Sequence, residues 1–99
     1  MTNLNQILTS ENLDQASHCL KILGNATRLK IVCDLSGGAQ SVKQIAESRE
    51  IPHSVACEHL RLLQNCGFIS SERNGKEVRY QIKDKHLLDL LSCIRKRFS

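Results

Sequence analysis

Residues 68–82, FISSERNGKEVRYQI, change the periodicity of the chain. On either side, apolar residues return every third or fourth position, as in amphipathic helices. Here apolar and polar residues alternate around Asn74-Gly75. Period-two alternation argues for strands, and a central Asn-Gly is the strongest short-range signal for a two-residue hairpin turn. Such a turn sets Arg73 opposite Lys76, Ser71 opposite Val78 and Ile69 opposite Tyr80. Ile69, Val78, Tyr80 and Ile82 then share the inner face. A lone hairpin cannot bury that face, so helices must cover it. The like charges of Arg73 and Lys76 would repel across the hairpin, a cost that turns into a gain beside a phosphate backbone.

The helical segments are bounded by their own punctuation. Residues 11–23 carry Leu13, Ala16, Leu20 and Leu23 on one stripe, and Gly24 stops them. Asn25 can cap the next helix, residues 26–36, whose inward positions are Ala26, Leu29, Ile31, Val32 and Leu35. Ser41 followed by Gln44 is a capping-box pattern opening a short helix with Val42, Ile45 and Ala46 on its apolar side. A tight turn at 49–51 leads to Pro52, placed in a first turn where its missing N–H costs nothing. The next helix packs through Val55, Ala56, Leu60 and Leu63 and ends at Gly67. Two short helices joined by a brief turn match the helix-turn-helix plan. A final amphipathic helix, capped near Asp84, carries Leu87, Leu90, Leu91, Ile94 and Phe98. With the first helix it offers apolar stripes suited to a dimer seam.

Charge is unevenly spread. Residues 1–60 hold five Lys/Arg against six Asp/Glu, whereas residues 61–99 hold nine against four. The basic half is where a polyanion would sit. Three aromatics leave no base-stacking platform for single strands. No apolar run reaches membrane-spanning length, and no export signal opens the chain, so a cytoplasmic protein is expected. Five cysteines without a CxxC spacing argue for a reducing compartment and against a structural zinc site built from cysteines alone. A thiol enzyme would need a base facing its cysteine; His18 beside Cys19 cannot supply one, because neighbours on a helix diverge.

The order helix, helix, helix-turn-helix, hairpin, helix describes one winged helix-turn-helix domain over residues 1–99, mainly α with a small β-hairpin and with 1–10 as an N-terminal extension. NATRLKIVCDLSGGAQSVKQIAE (25–47), SVACEHLRLLQNCGFISSERNGKEVRYQI (54–82) and DKHLLDLLSCIRKRF (84–98) resemble the ArsR/SmtB family of bacterial transcriptional repressors, over about residues 18–98. The resemblance implies a homodimer on palindromic operator DNA, released by an inducer or oxidant. It implies that 41–48 support and 52–66 recognise. His53, Ser54, Cys57 and Glu58 then face base edges, where small polar groups permit close approach. Cys57 replaces a hydroxyl with a weaker thiol donor, and Glu58 could accept from a cytosine amino group. Arg61, Arg73, Lys76 and Lys43 would contact phosphates, with Arg79 a weaker candidate. His59 either joins them or packs within the domain. A winged helix serving protein contacts alone is the competing reading.

The resemblance also frames the sensed signal. The family's cysteine site in the first helix of the helix-turn-helix falls on QSVKQIAE, which has no cysteine. Its terminal-helix site is half matched, by Asp84 and His86; the second pair falls at Arg97 and beyond Ser99. No metal cofactor is therefore expected. His18-Cys19 could join Asp84 and His86 only if their helices met, and His53 with Cys57 forms a possible pair four residues apart. Cys33 matches a cysteine used by redox-responsive members, and Cys93 lies about a turn and a half before the usual partner position. A thiol sensor at Cys33 and Cys93, or two thiols buried as small apolar groups, both remain open. Cys66 has no assigned role beyond ending its helix.

Overall fold

The computed structural model describes residue 3 and residues 8–99. Most of the 1–10 extension lies outside the described residues; Ser10 already belongs to the first helix. The elements are α1 (Ser10–Leu23), α2 (Ala26–Ser36), β1 (Gln40–Ser41), α3 (Val42–Arg49), α4 (His53–Asn65), β2 (Ile69–Asn74), β3 (Glu77–Ile82) and α5 (Lys85–Phe98).

Caps account for the boundaries. The Thr9 hydroxyl accepts from the Asn12 amide at 3.1 Å, and the Asn25 side chain accepts from the Arg28 amide at 3.1 Å. At α3 the capping box is complete: the Gln44 amide donates to Ser41 Oγ at 3.2 Å, and the Ser41 amide donates to Gln44 Oε1 at 2.9 Å. This satisfies two otherwise orphaned donors at once. The turn into α4 is tighter than the sequence suggests. Glu50 is left-handed at φ 55°, and the Ile51 amide donates back to the Ala46 carbonyl at 3.0 Å. That is a Schellman closure without the usual glycine. Pro52 is the N-cap residue, one position before the first helical turn, and α4 stops at Asn65, earlier than Gly67. Gly67 supplies φ 80°, and the Phe68 amide closes back on Leu63 O.

Ile31 and Val32 of α2, Ile45 of α3, Leu60 and Leu63 of α4, and Ile69 of β2 are fully buried. They form one core under the helix-turn-helix, with Leu87 of α5 joining it. Val55 does not belong there. At 39% exposed it sits on the rim of α4, while Ala56, one residue on, points inward. Ala26 is likewise exposed at the start of α2.

The sheet has three strands in the order β1-β3-β2, all antiparallel. β1 is only two residues long, too short for any periodic signal. The hairpin register differs from the expected one: Asn74 pairs with Glu77, Arg73 with Val78 and Ile69 with Ile82. The turn is therefore Gly75-Lys76. Gly75 takes φ 69° and Lys76 avoids the left-handed region. That is the Gly-X chemistry of a type II′ turn, preferred here over the Asn-Gly of type I′. The partner of each β2 residue moves by two positions, so every side chain keeps its face. Ile69 is buried, and Val78, Tyr80 and Ile82 are half-buried on the inner side as the alternation requires. The repulsion between Arg73 and Lys76 does not arise, because Lys76 stands in the turn.

The apolar stripe of α1 is only partly covered within one chain: Leu13, Ala16 and Leu20 are exposed, while Leu23 is buried. On α5, Leu90, Ile94 and Phe98 are exposed too.

Candidate nucleic-acid interface

α4 is held by braces along its back and at its far end. Arg28 of α2 donates from Nε to the Ile22 carbonyl at 2.6 Å, and its Nη1 lies 3.2 Å from His59 Nδ1. A guanidinium only donates, so Nδ1 accepts and the ring is neutral. Burial first, and the Arg28 charge second, push the His59 pKa below the usual histidine range. His59 thus packs within the domain. Gln64 donates to Ser71 Oγ at 3.1 Å, tying α4 to the hairpin. α3 is braced in parallel: Arg49 grips both oxygens of Asp34 at 2.8 Å each, a half-buried bidentate pair. Arg28, Asp34 and Arg49 carry no periodic signal in the sequence, and only the fold makes them partners.

With the inner face anchored through Ala56, Leu60 and Leu63, helix geometry turns His53, Ser54, Cys57, Glu58 and Arg61 outward, and all five are exposed. His53 Nδ1 lies 3.6 Å from Cys57 Sγ. Arg61 clasps Glu58 through Nη2–Oε1 at 2.5 Å and Nε–Oε2 at 3.1 Å. That hydrogen bond lowers the Glu58 pKa and raises that of Arg61, so both stay charged.

A groove of about 480 Å³ brings two further cations together: it is lined by Ser41 of β1, Val42 and Lys43 of α3, His53 at the start of α4, and Lys76, Glu77 and Val78 of the wing. Three candidate residues from three separated parts of the chain meet there. Arg73 is exposed on β2. Arg79 is half-buried on the central strand, between Ser41 and Glu72, and its Nε is buried without a partner among the described residues.

The proposed sensor residues are less united. Cys33 and Cys93 are both exposed, not buried as small apolar groups. Cys33 lines a groove with Ser36 and with Leu88, Leu91, Ser92 and Arg95 of α5, a lining that does not include Cys93. At 100° per residue, Cys93 points to the opposite side of α5 from that stripe. Asp84 caps α5 by accepting from the His86 amide at 3.0 Å. Among the described residues no three His, Cys, Asp or Glu side chains gather as a metal site. His18 and Cys19 face Asn65 and Cys66 of α4 instead of Asp84 and His86. No described helix is long and apolar enough to cross a membrane.

These elements define a winged helix-turn-helix domain: α3 and α4 joined by a left-handed turn, with a β-hairpin wing standing beside the first turn of α4. Residues 25–71 match the model of the bacterial regulatory proteins of the arsR family. The chain is 31% identical to the transcriptional repressor SmtB of Mycobacterium tuberculosis over 82% of its own length and 60% of that protein. It is 34% identical to a CadC homologue of Staphylococcus aureus, a cadmium resistance transcriptional regulatory protein, over 85% of this chain and 70% of that one. The fold superposes with a TM-score of 0.80 on the homodimeric winged helix-turn-helix DNA-binding domain of a possible ArsR-family regulator from Mycobacterium bovis; identity is 24%, and the match covers 95% of this chain and 84% of that one. The chain belongs to the ArsR family of bacterial regulatory proteins, and it spans about 60% of the length of the SmtB repressors it matches.

Proposed function

We propose that two copies of this chain bind double-stranded operator DNA as a twofold dimer and regulate transcription in the cytoplasm. Each α4 enters a major groove with His53, Ser54, Cys57 and Glu58 toward base edges. Lys43, Arg61, Arg73 and Lys76 hold the flanking phosphates. The observation that carries this reading is the groove joining Lys43, His53 and Lys76, which puts wing and helix-turn-helix cations on one side of the molecule. The exposed apolar residues of α1 and α5 support the dimer: left in water they would cost solubility, and joined across a twofold axis they bury each other. Two α4 helices so related should read half-sites about 34 Å apart. Asp84 is engaged as the cap of α5, and the reading invokes no resident metal.

Selection of bound duplexes from a random pool tests it. A palindromic consensus with half-sites about one helical turn apart is the expected outcome. Enrichment of no sequence, with affinity insensitive to salt, would overturn it.

A further inference from the structure

Cys66, which the sequence marks only as the end of a helix, does not stand alone. It is the C-cap of α4, half-buried, and with Asn65 it forms one wall of a groove of about 480 Å³. The other wall is α1, through Asp14, Gln15, His18 and Cys19. The two thiols are separated by 46 intervening residues in the chain, yet they line opposite walls of one groove. Neither Cys33, Cys57 nor Cys93 lines this groove.

The proposed dimer leaves this groove uncovered by α1. At 100° per residue, Leu13, Ala16 and Leu20 lie on one side of α1, and the groove-lining residues 14, 15, 18 and 19 centre on the opposite side. A dimer formed through the apolar stripe therefore leaves the thiols facing solvent through the groove, and the pairing is within one chain.

We propose that Cys19 and Cys66 form a dithiol that hydroperoxides oxidise to an intrachain disulfide, stapling α1 to the end of α4. Burial, with Cys19 beside it, pushes the Cys66 thiol up to about 11, which disfavours Cys66 as the first nucleophile. The Cys19 sulfur attacks the peroxide O–O bond, forming an S–O bond, and its thiol proton leaves with the displaced oxygen as water or an alcohol. The Cys66 sulfur then displaces hydroxide from the sulfenic acid, its proton leaving with that hydroxide as a second water. The two thiols lose two electrons and two hydrogens in all, and the peroxide is reduced. Cys66 lies next to Gly67, the glycine at φ 80° where α4 gives way to the wing.

The test is independent of DNA binding. Trypsin separates all five cysteines, placing Cys19 in residues 1–21 and Cys66 in residues 62–73. The full chain is treated with hydrogen peroxide, free thiols are alkylated, and the digest is mapped without reductant. A linked 1–21/62–73 pair, abolished by dithiothreitol and by either Cys19→Ser or Cys66→Ser, is the expected result. The link should persist when Cys33, Cys57 and Cys93 are together replaced by serine, a variant that leaves the groove intact. Recovery of both peptides alkylated, or oxidation confined to Cys33, Cys57 and Cys93, would overturn the proposal. The wild-type map needs no variant to fold.

Discussion

Arg61 offers the sharpest measurement of how α4 meets DNA. Its guanidinium is exposed and already clasped by Glu58, so it has two partners to choose between, a carboxylate on its own helix and a phosphate. An exposed ion pair contributes little to folding, so Arg61→Ala should leave the melting temperature almost unchanged. Its effect on DNA should be large and of one kind. Each phosphate neutralised contributes a slope of about −0.9 in log K against log salt. A dimer that loses one contact per protomer should therefore lose about 1.8 from its slope, which between 50 and 200 mM salt is roughly a tenfold difference in sensitivity. Glu58→Gln should act in the opposite sense. It removes a charge that repels phosphate and frees Arg61, so binding should tighten several-fold at low salt and steepen with salt. Fluorescence anisotropy on the selected duplex across a salt series reads both variants. Equal slopes for Arg61→Ala and the parent would remove Arg61 from the phosphate contacts and return the Glu58 pair to a purely surface role.

The core and the His59 brace make two further claims. Leu60 is fully buried beneath α4, so Leu60→Ala should cost about 2–5 kcal/mol in urea unfolding, whereas Val55→Ser on the rim should cost far less; equal losses would contradict the packing. His59 is held neutral, with its pKa below 6.5, so the unfolded chain binds more protons as pH falls through that value. The stability it contributes is therefore present above about pH 6.5 and declines as pH drops toward the folded-state value. Melting temperature against pH from 5 to 8 should rise more steeply in the parent than in His59→Gln, and parallel curves would show that the ring is not neutral in the fold.

How much of this was legible in the sequence depends on the range of the interaction. Caps act over three residues, so Asn25, Ser41 with Gln44, and Asp84 could be assigned directly, and the structure uses each as a cap. Faces follow from parity. The hairpin was expected with Asn74-Gly75 as its turn, yet the observed Gly75-Lys76 turn moves each partner by two and leaves Ile69, Val78, Tyr80 and Ile82 inward. What parity could not place is the tip: a type II′ turn puts Lys76 there and draws Arg73 back opposite Val78, which decides which cation joins Lys43 and His53. The contacts of longest range left no trace at all. Arg28 with His59 spans 31 residues and joins α2 to α4, and the groove lined by Cys19 and Cys66 lies between α1 and the same helix's far end. Both fall at positions where helical periodicity marks only half-buried side chains. The outward face of α4 is therefore readable as a candidate interface from spacing alone, whereas the machinery that sets its orientation is written in pairs that only the packed chain brings together.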